Sequence, residues 1–293
     1  MKILKIEEKY NNKKLIDVLL SNYSGLSTST IYKALRKKDI RINNKRISEN
    51  CFVKSGDELK IFIADDLFEK KLDIPIIYED ENIVVFNKPI NLESTGDNSL
   101  TSYAKQLYSL HENTYIEPCH RLDRNTSGVI LFARNIESQK IILNSFKNHQ
   151  IEKHYICVTS GIPKSKHKKL QAYLFKDSKK SMVYISDMPK QGYQKIITSY
   201  NVQKVSQSKN LALLDITLET GRTHQIRAHL AHIGLPILGD GKYGNNKINK
   251  SYGQKIQCLS SYSITLHFAE SSMLYYLNNK TIKQSQTPFI NLL

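Results

Sequence analysis

Cys119-His120-Arg121-Leu122-Asp123-Arg124-Asn125-Thr126-Ser127-Gly128-Val129-Ile130-Leu131-Phe132-Ala133 falls into a charged half and an apolar half. The apolar half, Val129 to Ala133, is long enough for one buried strand. The charged half holds a single carboxylate, Asp123, flanked by Arg121 and Arg124 and closed by Thr-Ser-Gly. Turn chemistry that runs straight into a buried strand holds a loop residue rigidly at the rim of a sheet. The neighbouring arginines favour the charged form of the carboxylate, which suits a nucleophile or a base. One Asp with two Arg is also what a structural ion pair at the start of a strand looks like, so the surrounding chain has to decide.

Downstream of this stretch, Asn135 is placed to cap a helix running to about Asn148, with Ile141, Ile142 and Phe146 inward. Glu152 to Thr159 reads as a strand containing Lys153-His154-Tyr155, and the basic segment Pro163 to Lys169 reads as a solvated loop. Leu211 to Leu218 is another strand, followed by Gly221-Arg222-Thr223-His224-Gln225-Ile226-Arg227. Ala228, Leu230, Ala231 and Ile233 then predict a short amphipathic helix that Gly234 and Pro236 stop. A glycine-rich turn, Gly239 to Gly244, precedes further strands, among them Ile264-Thr265-Leu266 and a hairpin at Asn278-Asn279. Upstream, Ile76-Ile77-Tyr78 and Ile83 to Phe86 are strands joined by a polar turn, and Asn87-Lys88-Pro89 ends the second.

The first 64 residues have a different character. Leu15, Ile16, Val18 and Leu19 have helical spacing. A second helix follows Ser27-Thr28, with Ile31, Ala34 and Leu35 inward and Lys33, Arg36 and Lys37 outward. Ile40-Arg41-Ile42, an Asn43-Asn44 turn and Lys45-Arg46-Ile47 form a tight hairpin, because Asn tolerates positive φ. Leu59, Ile61 and Ile63 alternate as a closing strand after Gly56-Asp57. This predicts a module at residues 1–64, a polar linker at 65–75 and a second domain at 76–293.

The chain has 293 residues, 40% of them apolar, which is enough for a substantial core. It lacks an apolar run of the ~18 residues that a membrane span needs, and Met1-Lys2-Ile3-Leu4-Lys5 has no signal-peptide pattern. A cytoplasmic, monomeric protein without a membrane partner is expected. The four cysteines are scattered and form no Cys-x-x-Cys, so reduced thiols are expected. The net charge of +16 favours a polyanionic partner, nucleic acid above all. Residues 1–64 carry 14 Lys+Arg against 7 Asp+Glu, so under a quarter of the chain holds +7 of that excess. Lys33, Arg36, Lys37, Arg41, Lys45 and Arg46 form the candidate RNA-binding face.

The histidines at 224, 229 and 232 invite a metal reading, but their spacings of five and three do not supply the i, i+4 pair of helical zinc sites. Gly239 to Gly244 lacks Gly-Lys-Ser/Thr and opens no helix after a strand, so a phosphate cradle is disfavoured too.

Read whole, His120-Arg121-Leu122-Asp123-x-x-Thr126-Ser127-Gly128 resembles the signature of the RluA family of pseudouridine synthases. Asp123 falls on that family's catalytic aspartate. Gly221 to Arg227 with Gly239-Asp240 resembles its third motif, Lys153-x-Tyr155 its active-site tyrosine, and Asn87-Lys88-Pro89 the opening of its catalytic domain. The N-terminal stretch is similar to the RNA-binding domain named after ribosomal small-subunit protein S-four. The resemblance has departures. Asp39 and Asn91 stand where Gly is usual, Lys14 where Arg is common, and Ser94-Thr95 and Ser260 where His is frequent.

The resemblance implies an α+β protein. A small helix-helix-sheet RNA-binding module would be joined to a catalytic domain on a large mixed, mainly antiparallel sheet with flanking helices. It implies isomerisation of uridine to pseudouridine, with no cofactor and no metal, since the base is detached, turned and rejoined without a second reactant. Asp123 would attack the sugar or take its proton. Arg222 would pair with Asp123, and Tyr155 would stack beneath the base. Arg121, with His120 and Thr126, would meet the RNA, and Arg121 would fill the gap that the flipped base leaves. Ribosomal large-subunit RNA is the expected substrate, with transfer RNA as the alternative. A glycoside- or base-cleaving hydrolase would want a second carboxylate in these motifs. A non-catalytic RNA-binding assembly factor would leave Asp123 without a purpose.

Overall fold

The computed structural model describes residues 1–23, 25–68, 73–109 and 115–293. They form two compact units, Met1–Asp73 and Ile74–Leu293.

The first unit contains β1 (Lys2–Lys5), β2 (Lys13–Lys14), α1 (Leu15–Asn22), α2 (Thr28–Lys37), β3 (Ile40–Ile42), β4 (Lys45–Ile47), β5 (Phe52–Val53) and β6 (Glu58–Ile61). Ser27 caps α2 by accepting the Thr30 N–H at 3.1 Å. At the other end Lys38 turns left-handed, with φ of 60°. That answers the departure at Asp39: the neighbouring residue makes the turn, so no glycine is needed there. Asn43 and Asn44 take φ of 48° and 68° between β3 and β4, as a two-residue hairpin demands. The main sheet runs β1-β6-β3-β4. The sequence pattern missed β1, whose polar residues Lys2 and Lys5 conceal a strand that pairs with β6 along its whole length. Leu15, Leu19, Ile31, Leu35, Ile40, Leu59 and Ile61 are the core of this unit. Phe68 joins them, edge-on to Tyr23 at 4.8 Å, so the module extends beyond residue 64 into the stretch expected to be linker.

The second unit comprises β7 (Ile76–Glu79), β8 (Ile83–Lys88), α3 (Leu100–Tyr108), β9 (Glu117–Pro118), β10 (Ser127–Ala133), α4 (Ile136–Lys147), β11 (Ile151–Ser160), β12 (His167–Asp177) and β13 (Met182–Ser186). It continues with β14 (Gln194–Ser206), β15 (Leu211–Leu218), α5 (Gln225–His232), α6 (Asn246–Ser251), β16 (Leu259–Leu266) and β17 (Thr281–Lys283). One sheet runs β13-β12-β14-β15-β11-β16-β10-β8-β7, with β17 added to β16 and β9 to β10. Its pairings are antiparallel except β10 with β16. The segment 163–169, expected as a loop, is strand from His167 onward, because β12 pairs with β14 from that residue.

The apolar half of the opening stretch lies at the centre of the arrangement. Val129, Leu131 and Ala133 enter the cluster formed with Ile83, Val85, Ile142 and Ile264. Phe132, on the opposite face of β10, meets Phe86 edge-on at 5.3 Å. Burying each such side chain contributes roughly 1.5–3 kcal/mol, so β10 is a firm base for the loop that precedes it. Asn135 caps α4, accepting the Ser138 N–H at 2.8 Å. No helix among the described residues is long and apolar enough to cross a membrane.

Candidate active site

The loop carrying Asp123 is tied down from three sides. Thr126 N–H donates to the Asp123 carbonyl at 3.0 Å, closing the turn. Ser94, buried, both accepts from Leu122 N–H (2.9 Å) and donates to the Leu122 carbonyl (2.8 Å). Lys88 is fully buried, and its Nζ donates to the carbonyls of Pro89 (2.9 Å), Leu92 (2.7 Å) and Arg124 (3.2 Å). Burial brings the pKa of this ammonium down to about 8, against the raising effect of Glu93 and Asp123. The departures at Asn91 and Ser94 have structural roles. Asn91 takes φ of 62° where glycine is usual, and Ser94 pins the residue before Asp123.

A cavity of about 420 Å³ opens over this loop. Asp123, Tyr155, Lys153, Arg121, Arg222, His224, Arg227 and Leu259 are among its lining residues, and among the described residues Asp123 is the only carboxylate in that lining. The structure thus brings together the three expected catalytic residues, which span a hundred positions of sequence. Arg121 and Arg222 are exposed at its rim. Tyr155 is buried on β11. Burial, and then the charge of Asp123, push its phenol up.

The pairing expected of Arg222 is made by Arg227. Its Nη1 donates to Asp123 Oδ2 at 3.2 Å, while Nε and Nη2 donate to the two oxygens of buried Asp240 at 2.7 and 3.0 Å. The reason is positional. Arg222 lies on the turn before α5 and faces outward, whereas Arg227 is inside the helix and buried. Burial alone would raise the pKa of Asp240, but the Arg227 fork and the N–H groups of Lys242 and Tyr243 hold it below the usual carboxylate range. The turn itself is fixed by buried Gln225. Its Oε1 accepts from Arg222 N–H and Thr220 Oγ1, and its Nε2 donates to the Ile197 carbonyl and Thr198 Oγ1.

Two further residues of the lining, His120 and Thr126, also hold the loop. His120 accepts the Leu131 N–H on Nε2 at 3.0 Å and packs on Phe146, so its imidazole anchors the loop to β10. Burial, with the charge of Lys153, lowers its pKa to about 3. Thr126 is buried, and its hydroxyl accepts from Gln257 Nε2 at 2.8 Å. Sequence reading missed Arg227, Asp240, Gln225 and Lys88 as site-builders. Their signal was present, since each stands inside a quoted motif, but side-chain partners are not written in a motif. In the first unit Lys33, Arg36, Lys37, Lys45 and Arg46 are exposed, whereas Arg41 is half-buried, with its guanidinium 4.9 Å from the centre of the Phe62 ring. Among the described residues no group of His, Cys, Asp or Glu is arranged to hold a metal ion.

Comparison with known proteins bears directly on this site. The sequence pattern of the RNA pseudouridylate synthase family matches residues 82–232, which include the Asp123 loop, Tyr155 and Arg227. Ribosomal large subunit pseudouridine synthase C of Rickettsia bellii is 35% identical over 254 residues, covering 77% of this chain and 81% of that protein. Its counterpart in Buchnera aphidicola is 32% identical over 292 residues, covering 91% and 90%. The solved structure of human RNA Pseudouridylate Synthase Domain Containing 4 superposes with a TM-score of 0.55 at 25% identity, over 65% of this chain and 83% of that one. The chain belongs to the RNA pseudouridylate synthase family. It is an isomerase of the RluA type, built on the mixed α+β fold of its relatives.

Proposed function

We propose that the protein converts uridines of large-subunit ribosomal RNA to pseudouridine, with Asp123 as the group that acts on the ribose. The carrying observation is that Asp123 is, among the described residues, the only carboxylate lining the cavity, held there by a buried arginine. A glycoside-cleaving reading needs two carboxylates at the reacting bond. The second acid nearby, Asp240, is spent on Arg227 behind the cavity wall. The ribosomal assignment rests on the relatives, which are named for the large subunit.

In this reading the target base leaves its stack, at a cost of a few kcal/mol, and enters the cavity. Tyr155 lies beneath it, and base–aromatic stacking returns roughly 1–3 kcal/mol. Arg121, exposed at the rim two residues from Asp123, occupies the space the base vacates. Asp123 then attacks the sugar or takes its proton, the bond to the base breaks, and the base turns and rejoins through carbon 5. Atoms and electrons balance within the nucleotide. The first unit, with Lys33, Arg36, Lys37, Lys45 and Arg46 exposed, is assigned to the RNA backbone as a domain of the S-four type.

Carbodiimide mapping of pseudouridines tests this in cells that lack the protein, carry it, or carry Asp123→Asn. Large-subunit positions should lose their signal without the protein and should not regain it with Asp123→Asn. Losses confined to transfer RNA would overturn the substrate. Full restoration by the variant would remove Asp123 from the chemistry.

A further inference from the structure

Arg227 holds Asp123 less completely than its charge suggests. Two arms of its guanidinium are engaged with Asp240, and a single 3.2 Å bond from Nη1 is left for Asp123 Oδ2. A carboxylate held by one such bond can still swing about its own axis. The second group facing the same oxygen is His224, whose Nε2 lies 3.8 Å from Oδ2.

The hydrogen-bond partners favour one tautomer of that imidazole. Nδ1 of His224 is 2.8 Å from the Tyr243 hydroxyl. That hydroxyl already accepts the Val183 N–H at 3.0 Å. Its second lone pair could accept an Nδ1–H, but that would leave the hydroxyl proton with no acceptor among the described residues. The pairing that uses every group sends this proton to Nδ1 and leaves the ring proton on Nε2, the nitrogen facing Asp123. The backbone points the same way. His224 takes φ of 54° at the start of α5, in the left-handed region that costs a β-carbon-bearing residue roughly 1–2 kcal/mol. Strain of this kind persists where the surroundings over-determine it and collects at functional sites. Tyr243 is the strut of the arrangement, since the Arg227 guanidinium also lies 5.2 Å from the centre of its ring.

We propose that His224 is a positioning residue, which Tyr243 holds as the Nε2–H tautomer so that a neutral donor stands 3.8 Å from Oδ2 of Asp123. That separation is beyond hydrogen-bond reach at rest and is closed by a small swing of the carboxylate when substrate binds. With Arg227 on the same oxygen, Oδ1 is the atom left to meet the ribose. A neutral donor orients the carboxylate, whereas a second cation would also quench its basicity. The groups around the imidazole are Asp123 from the loop before β10, Arg227 from α5, and Asp240, Lys242 and Tyr243 from the turn after it. Burial lowers the pKa of His224. Arg227 and Lys242 act with burial, and Asp123 and Asp240 act against it, so the ring is neutral at neutral pH. The proposal rests on Asp123 being the reacting group.

Two measurements test it. Long-range proton–nitrogen NMR on the full-length protein with labelled histidine at pH 7.5 should show His224 protonated on Nε2 alone. A ring protonated on Nδ1, or on both nitrogens, overturns the proposal. This readout requires no turnover, so it stands even if the assigned activity fails. In the second, His224→Phe should lower kcat about a hundredfold with KM nearly unchanged. His224→Gln, whose amide carries a donor at the same reach, should recover to within roughly tenfold of wild type. Tyr243→Phe should move the acid limb of the rate profile to higher pH, because Nδ1 is then free to take a proton. A folded His224→Phe at wild-type kcat, or a Gln variant no better than Phe, overturns it.

Discussion

Asp123 and Arg227 stand 104 positions apart and meet through one bond, so what each contributes separates by substitution. Arg227→Lys keeps the charge but loses the planar fork that spans two carboxylates. Turnover should fall about a hundredfold, or ~2.7 kcal/mol of barrier. Unfolding stability should drop as well, because buried Asp240 loses its paired donors. Arg222→Lys, at the exposed rim, should stay within about threefold of wild-type turnover. Steady-state rates beside denaturant midpoints check the contrast, and a severe Arg222→Lys with a mild Arg227→Lys would reverse the assignment. His120 supports a prediction in pH. Its folded pKa, about 3, lies below the ordinary 6.5 because the buried ring is kept neutral. Between those values the unfolded chain binds a proton that the folded protein does not, so stability falls as pH drops from about 6.5 towards 3. His120→Asn should flatten that fall in acid-unfolding curves recorded beside wild type; parallel curves would show that His120 ionises freely in the fold.

At the scale of elements, the critical joint is the parallel contact of β10 with β16, where Gly128 stands beside Ser261. Gly128 has φ of 109°, and a β-carbon there would lie 2.0 Å from the Ser261 carbonyl oxygen. The Thr-Ser-Gly ending of the signature is therefore a packing requirement as well as a turn. Gly128→Ala should cost roughly 3 kcal/mol or more, from backbone strain and overpacking together. A thermal midpoint within a degree or two of wild type would show that β16 can yield. Ser260 illustrates how a departure is absorbed at this scale. Its hydroxyl lies 3.0 Å from Ser127 Oγ and accepts from Gln284 Nε2, so the position expected for a histidine ties β16 to the start of β10.

At the scale of the molecule, the two units have separate cores. The first is closed by Phe68, which is 1% exposed. A truncation starting at residue 65 would keep Phe68 without the cluster it plugs, whereas one starting at Ile74 cuts at the boundary between the units. The protein lacking residues 1–73 should fold, bind RNA more weakly and show a shallower salt dependence. The log–log slope should fall by roughly 0.7–0.9 for each phosphate contact removed. Turnover on a short RNA at saturation should survive, since Asp123, Tyr155 and Arg227 all lie in the second unit. Salt titrations of both proteins on one RNA decide it, and an unchanged slope would mean that the basic face of α2 and β4 leaves RNA untouched.

Local structure was legible directly in the order of residues. Helix caps at Ser27 and Asn135, the Asn43-Asn44 hairpin, the buried run Val129–Ala133 and the strand Leu211–Leu218 follow from periodicity and turn chemistry within a few residues. The two long motifs identified the family, and with the shorter Lys153-x-Tyr155 they marked Asp123 and Tyr155 as residues of one site. The tertiary structure alone decided which arginine meets Asp123, because motif spacing cannot say which of Arg222 and Arg227 faces inward across a turn into α5. It also showed that His120, Thr126 and Ser94 hold the loop, which no motif states. The long strands β12 and β14, and the edge strand β1, were not legible either, since their lysines and serines mask the two-residue alternation that reveals a strand. Their pairing comes from backbone hydrogen bonds to partners distant in sequence, and a side-chain pattern carries no record of those bonds.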